Sequence, residues 1–340
     1  MEGKEKLRIG EEFKKKLKKA QYGVFGHSVV DICHYTKKSL KGEKVCYKRK
    51  FFGVETHRCM EFSPAGLYCH NRCVYCWRPT EFYETIKMGE DEVDDPKEII
   101  ENLLKIRNQL LTGFGGNEKV IRELYEESKT PTHFAISLMG EPTLYPKLPE
   151  MIRYLKSLRL TKSIFLVTNG QEPEMLERLE KENSLPTQLY LSMNAGNYET
   201  FKKVNVPLLK DSWERFNKSL ELISRISTRT VIRITLIKGI NDNFEEIKGF
   251  AELIKKANPH FVEIKSYMHV GYSKSKLKEE NMVTLEEIKK WMNKLKENLE
   301  EFEYMDEDES ARIVILKNIN RKVDRWIVKP EESTLYKYGL

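Results

Sequence analysis

The distribution of cysteine constrains this chain more than any other feature of its sequence. All six cysteines of the 340 residues lie between positions 33 and 76, in two groups of three. The first group has twelve residues between neighbours, and the second is a compact C-x3-C-x2-C segment. The groups are Cys33, Cys46 and Cys59, followed by Cys69, Cys73 and Cys76. Cysteines scattered through a core do not produce this pattern, so we expect the fold to gather each group around a common ligand.

Disulfides, zinc and iron–sulfur clusters all use grouped cysteines. The charged N-terminal segment lacks the apolar stretch of a secretory signal, and a reducing cytoplasm disfavours disulfides. Tetrahedral zinc takes four ligands, and His34, His57 or His70 can supply the fourth, so zinc stays an alternative. Thiolates are the usual ligands of 4Fe-4S clusters, and three of them leave one iron open to a small molecule. We therefore predict two 4Fe-4S clusters with all six cysteines as ligands.

The rest of the chain alternates short β-branched or aromatic segments with amphipathic ones. The strand candidates are 59–63, 133–138, 163–168, 188–193, 231–237 and 260–267, with a late strand at 312–318. The helix candidates are 9–20, 96–111, 117–128, 147–158, 173–182, 211–226, 244–256 and 284–302, with a glycine-rich loop at 113–118. Alternation of this kind predicts an α/β fold with a parallel sheet, and six strands fit a partial (βα)6 TIM-like barrel.

Three parts are expected along the chain. A basic N-terminal extension over 1–58 carries the first cysteines, the partial barrel covers 59–270, and a helix/strand extension over 271–340 packs on the barrel. Residues 1–50 hold fifteen Lys or Arg against six Asp or Glu, a net charge of 15 − 6 = +9. The whole chain has a net charge of +7, so the remaining residues carry 7 − 9 = −2. This basic front favours a polyanion as partner, although a solvated helix face has the same composition. Without an apolar run of about eighteen residues or a heptad seam, we expect a cytoplasmic monomer and no membrane segment.

The compact cysteine segment resembles the cluster loop of the radical S-adenosylmethionine superfamily. Cys69, Cys73 and Cys76, with Tyr75 before the last cysteine, match that loop. Residues 139–142, MGEP, follow a predicted strand as the superfamily's GGE motif does, with Met139 in place of the first glycine. The resemblance implies that S-adenosylmethionine binds at the carboxyl ends of the strands. The residues expected to contact it are Tyr75, Gly140, Glu141, Thr168, Asn169, Ser192, Asn194 and Leu236.

The earlier C-x12-C-x12-C segment resembles the archaeal 4-demethylwyosine synthases, and this similarity covers nearly the whole chain. It implies an enzyme that condenses N1-methylguanosine, next to the anticodon of tRNA(Phe), with pyruvate. The cluster at Cys69, Cys73 and Cys76 then cleaves S-adenosylmethionine with an electron from an external donor, and the 5′-deoxyadenosyl radical abstracts hydrogen from the N-methyl group. The methylene radical attacks pyruvate, whose carboxylate is lost, and a third ring closes to give the tricyclic base. The second cluster is implied to bind pyruvate.

The family chemistry also implies a lysine that forms a Schiff base. We choose Lys48 in the segment VCYKRKFF, because cationic neighbours such as Arg49 lower the pKa of an amine and make it nucleophilic. A phosphate contact or a solvated surface position is the alternative for this lysine. Two other functions stay open: another radical S-adenosylmethionine enzyme acting on a peptide or small molecule, and a zinc-stabilised RNA-binding module.

Overall fold

Ten strands form one continuous sheet in the computed structural model, which describes residues 5–83 and 87–340. In chain order they are β1 Gly23–Phe25, β2 Ser28–Asp31, β3 Cys59–Ser63, β4 His133–Ile136, β5 Ser163–Thr168, β6 Gln188–Ser192, β7 Arg229–Leu236, β8 Phe261–Ser266, β9 Phe302–Asp308 and β10 Ile313–Asn318. The sheet order is β1-β2-β3-β4-β5-β6-β7-β8-β10-β9. The pairs from β3 to β8 are all parallel, which confirms the six-stranded partial barrel.

Eleven helices accompany the sheet within the described ranges. They are α1 Glu11–Lys19, α2 His34–Ser39, α3 Tyr47–Phe52, α4 Pro96–Gly115, α5 Arg122–Ser128, α6 Leu148–Ser157, α7 Pro173–Lys181, α8 Tyr198–Asn205, α9 Ser212–Arg225, α10 Ile247–Ala257 and α11 Leu285–Lys296. Local signals fix several of their ends. Asp95 accepts hydrogen bonds from the first turn of α4, and Thr284 forms a capping box with Glu287 at α11.

Each predicted strand and helix is present, but the glycine-rich loop at 113–118 is partly wrong. Helix α4 continues through Gly115, because Leu111 packs in a buried cluster and holds the last turns against the protein. The sequence patterns missed strands β1, β2 and β9 and helices α2, α3 and α8. Strands β1 and β2, with three and four residues, have too few positions to show a periodicity.

The two faces of the parallel sheet have different environments. Residues such as Met60, Phe62 and Ile264 point outward into the large core beneath the helices. The alternating residues point into the barrel lumen, where Phe165 and Phe261 belong to a second cluster with helix α3. The ring of Phe52 on α3 lies edge-on to that of Phe261, with centroids 5.3 Å apart. Helix α3 therefore closes the lumen on the side of the amino ends of the strands.

Antiparallel strands extend both edges of the barrel. Strand β2 pairs with β3, with Asp31 opposite Glu61, and β10 pairs with β8. The terminal segments thus share one sheet with the barrel, and the division at residues 58 and 270 stays a prediction. Within the described ranges, no helix combines the length and apolar character needed to cross a bilayer.

Candidate active site

The C-x3-C-x2-C loop follows the carboxyl end of β3, where sites form in parallel barrels. All three thiols are free, and Cys73 is buried. Burial, with the neighbouring Cys73 adding repulsion, raises the pKa of Cys69 well above its ordinary value. The loop is anchored to α8, because the amide of Val74 donates to the carbonyl of Val204 at 2.9 Å. The three cysteines therefore lie on one loop that the barrel holds in place.

Glu141 connects the turns that follow β4 and β5. Its Oε1 accepts hydrogen bonds from the hydroxyls of Thr168, at 2.8 Å, and Thr143, at 2.5 Å. Its Oε2 accepts the amide N–H of Asn169 at 2.8 Å. The Nδ2 of Asn169 in turn lies 3.5 Å from the Sγ of Cys69. The carboxylate thus joins Thr168 and Asn169, two of the predicted site residues, to the cysteine loop. A ligand ammonium would share the carboxylate with these donors.

Gly140 fits only without a side chain. Its φ is +69°, and a Cβ atom would lie 1.7 Å from the carbonyl oxygen of Ala65. Its amide donates to the hydroxyl of Tyr83 at 3.0 Å. The position therefore serves through its backbone.

Tyr75 and Asn194 meet across the mouth of the barrel. The Nδ2 of Asn194 donates to the Tyr75 hydroxyl at 2.7 Å, and its Oδ1 accepts the amide of Thr235 at 2.8 Å. Ser192, two positions earlier, is half-buried on the lumen side of β6. Leu236 differs, because its side chain belongs to the outer core and its carbonyl accepts the amide of Tyr267 at 2.8 Å. The structure therefore gathers these predicted residues at one mouth, except for the side chain of Leu236.

The other three cysteines lie at the amino-end side of the lumen. Cys33 and Cys46 are the N-cap residues of α2 and α3, and Cys59 begins β3. Burial raises the pKa of Cys46 to about 12, with the nearby Cys33 adding repulsion. The hydroxyl of Thr36 donates to the carbonyl of Thr56, whose own hydroxyl accepts the amide of Cys46. The two cysteine groups thus lie towards opposite ends of one lumen.

Lys48 extends from α3 into this lumen. Its Nζ lies 4.5 Å from the ring centroid of Phe165 and 5.1 Å from that of Tyr190. Burial raises the pKa of Cys46 and of Cys59, and the positive charge of Lys48 offsets part of this rise. The chosen lysine is therefore placed among aromatic rings beside the second cysteine group, rather than on the surface.

Sequence analysis missed a set of charged residues on the lumen face of β7 and β8. The Nε of Arg233 donates to Glu263 at 2.9 Å, and its Nη2 donates to the hydroxyl of Tyr47 at 3.0 Å. Lys265 follows two positions after Glu263. The available signal was a charged residue at alternate positions of otherwise apolar strands, VIRITL and FVEIKS, since strand residues two apart share a face.

The thiol surroundings fit iron–sulfur clusters. The amide of Asn71 lies 3.4 Å from the Sγ of Cys69, and the amide of Thr36 lies 3.4 Å from the Sγ of Cys33. Such N–H donors stabilise cluster thiolates and tune their potential. Within residues 5–83 and 87–340, no three or more His, Cys, Asp or Glu side chains are gathered closely enough for a single metal ion.

Known proteins match this chain over nearly its full length. The radical SAM superfamily matches residues 64–254, and the family described as wyosine base formation matches residues 256–318. The chain is 42% identical to the S-adenosyl-L-methionine-dependent tRNA 4-demethylwyosine synthase of Pyrococcus horikoshii, over 88% of this chain and 86% of the relative. It is 37% identical to that of Methanocaldococcus jannaschii, over 93% and 99%. The human relative is 35% identical over 95% of this chain, which spans 43% of the human protein.

Two solved structures share this fold. A structure of TYW1 with a lysine-pyruvate adduct bound superposes with a TM-score of 0.83 at 35% identity, covering 94% of this chain and 99% of that one. A crystal structure of archaeal TYW1 gives a TM-score of 0.75 at 32% identity, with the same coverage.

Proposed function

Because the chain belongs to the family of radical S-adenosylmethionine tRNA 4-demethylwyosine synthases, we propose that it condenses N1-methylguanosine of tRNA(Phe) with pyruvate to form 4-demethylwyosine. The observation that carries this proposal is the common lumen. One thiol group lies beyond the carboxyl end of β3, the other includes the first residue of β3, and Lys48 enters beside the second. A reaction that joins two substrates requires such a shared, enclosed space.

Lys48 is proposed to hold pyruvate. A primary amine attacks a ketone carbon and loses water to give an imine. The rings of Phe165 and Tyr190 near its Nζ keep water away from that carbon. A lysine–pyruvate adduct in a solved structure that is 35% identical supports this role.

Two 4Fe-4S clusters are proposed, one for each cysteine group. The cluster at Cys69, Cys73 and Cys76, when bound and reduced by an external electron donor, supplies the electron for cleavage of S-adenosylmethionine. The chain's own contribution is orientation: Gly140 offers its backbone, and Tyr75 and Asn194 hold each other at the mouth. The second cluster, on Cys33, Cys46 and Cys59, is proposed to take part in binding pyruvate beside Lys48.

The tRNA is proposed to dock on the face around the cysteine loop. Lys16 on α1 lies 4.4 Å from the ring centroid of Phe82, and that ring meets Tyr272 edge-on at 6.3 Å. The basic N-terminal helix and the segment 271–278, with Lys274, Lys276 and Lys278, therefore lie on one surface. Trp77, 45% exposed, adjoins the same segment, because its carbonyl accepts the amide of Tyr272. Cations and exposed rings suit phosphates and unstacked loop bases.

Incubation of the anaerobically reconstituted enzyme with methylated tRNA(Phe), pyruvate, S-adenosylmethionine and dithionite tests the function. We expect mass spectrometry to detect the tricyclic base, and we expect about eight irons per chain. The variant Lys48→Arg keeps the charge but forms no imine, so it should retain iron and lose product. Zinc in place of iron, or 5′-deoxyadenosine formation without any modified base, would contradict the proposal.

A further inference from the structure

Three basic side chains among the described residues, Arg233, Lys48 and Lys265, face the lumen. Arg233 and Glu263 pair with each other at 2.9 Å, which leaves Lys48 and Lys265 as the two amines of this region. Two further carboxyls, Asp31 and Glu61, lie opposite each other on β2 and β3, towards the other edge of the sheet from β8. Buried cations of this kind are unfavourable unless an anion accompanies them.

Arg233 is already occupied by the protein. It donates from Nε to Glu263 and from Nη2 to Tyr47, and its guanidinium lies 4.2 Å from the ring centroid of Tyr190. Because these three contacts engage its guanidinium, Arg233 is not the unpaired cation of the lumen. Within the described residues, Oε1 of Glu263 is buried without a hydrogen-bond partner.

Lys265 has the opposite situation. Within the described parts of the chain, its ammonium has no hydrogen-bond acceptor and no ion-pair partner at hydrogen-bonding distance. On β8 it lies opposite Thr235 of β7. This pair is two residues nearer the carboxyl ends of the strands than the pair Arg233 and Glu263, on the same inward face. Its electrostatic neighbours are Arg233, Glu263, Cys46 and Lys48, and burial lowers its pKa to about 8. An unpaired ammonium therefore faces the space that Lys48 also enters.

From this placement we infer that Lys265 binds the carboxylate of the 2-oxo acid whose ketone reacts at Lys48. The inference rests on the proposed function, since it assigns the second functional group of the same substrate. A 2-oxo acid presents its ketone carbon and its carboxylate one bond apart, so two neighbouring amines can engage one molecule. The amine of Lys48 attacks the ketone, and the ammonium of Lys265 donates to the carboxylate oxygens. A charged donor thus selects acids over neutral ketones.

Borohydride trapping on the reconstituted protein tests this assignment, because reduction of the imine leaves a stable secondary amine that peptide mass mapping locates. Pyruvate and its neutral amide, pyruvamide, are titrated against the wild type, Lys265→Met and Lys265→Arg. We expect the half-saturating pyruvate concentration to rise about tenfold or more in Lys265→Met, as for loss of a charge-assisted hydrogen bond. Pyruvamide should change by less than about twofold, and Lys265→Arg should stay close to the wild type.

Lys50→Met is the matched control, since Lys50 is an exposed lysine of α3 that pairs with Asp306 outside the lumen. If Lys265→Met loses its cluster absorbance, Lys265→Gln replaces it. Equal loss for pyruvate and pyruvamide, or no change for pyruvate, overturns the role of Lys265 while the adduct on Lys48 still supports the proposed function. An adduct on Lys265 itself, or none on any lysine of the wild type, overturns both.

Discussion

The amide of Asn169 donates a hydrogen bond to Oε2 of Glu141 at 2.8 Å, and this bond joins the turn after β5 to the turn after β4. The side chain of the same asparagine reaches the Sγ of Cys69 at 3.5 Å. A single buried carboxylate therefore sets the position of two strand-end turns relative to the cysteine loop. Because three segments depend on it, changes at this carboxylate should affect the whole mouth of the barrel.

Glu141→Gln should weaken binding of S-adenosylmethionine about tenfold and lower the free energy of unfolding by about 1–3 kcal/mol. The glutamine N–H₂ group would replace one carboxylate oxygen, so hydrogen-bond donors that contact this oxygen in the wild type would lose their acceptor. Isothermal titration of the reconstituted protein measures the affinity, and chemical denaturation measures the stability. Thr143→Val is the milder comparison, because it removes only one hydroxyl donor from Oε1. Wild-type affinity in Glu141→Gln would contradict the positioning role.

Gly140→Ala should reduce the stability of the protein and its capacity for a cluster. The added methyl group would overlap the carbonyl oxygen of Ala65, and alanine also disfavours a φ of +69°. Gly239→Ala provides the control, since Gly239 has a φ of +77° but nothing within 4 Å of the added Cβ. We expect about 1 kcal/mol of destabilisation at Gly239 from backbone strain alone, and more at Gly140. Equal melting temperatures for the two variants would show that the overlap is relieved.

Cys33→Ala should retain the cluster at the compact loop and lose product. Iron content is expected to fall from about eight to about four per chain, while cleavage of S-adenosylmethionine continues. Iron analysis, 5′-deoxyadenosine formation and detection of the tricyclic base are measured on the same preparation. Normal amounts of product from this variant would remove the second cysteine group from the reaction.

Acid should destabilise the protein through Glu55, whose buried carboxylate lies 2.8 Å from Nζ of Lys162. Burial opposes its ionisation, but His133 and Lys162 hold its pKa below the ordinary value. A depressed carboxyl pKa stabilises the fold fully above the unfolded-state pKa. This contribution is lost as the pH falls from there through the lower folded-state pKa. Burial also lowers the pKa of His133. As the pH falls, this histidine is protonated in the unfolded chain before it is protonated in the folded one, which also favours unfolding.

The free energy of unfolding in urea, measured between about pH 7 and pH 3, should therefore decrease towards acid. Glu55→Gln should be less stable at neutral pH and show a flatter pH profile. A variant that follows the wild-type profile would exclude Glu55 as the source of the acid sensitivity.

The sequence by itself determined the six parallel strands, the long helices and both cysteine groups. These features depend on local periodicity and spacing. Segments of five or more residues with a clear apolar pattern form the predicted elements, because their apolar residues lie on the faces that the fold buries. The turns carrying Gly140 and Asn169 were also predictable, because they follow strands directly.

Only the tertiary structure decided how the lumen is built. The sequence separates Tyr47 from Arg233 by 186 residues, and the barrel brings their side chains within hydrogen-bonding distance. Lys265 was missed because a lysine in a strand resembles a surface position until closure of the sheet turns that face inward. Leu236 was expected at the site, yet its side chain faces outward, since a strand alternates its faces and the neighbouring Thr235 lies on the lumen side. The charged residues around Lys48 come from segments far apart in the sequence. Closure of the barrel brings them together, and no local sequence pattern encodes this closure.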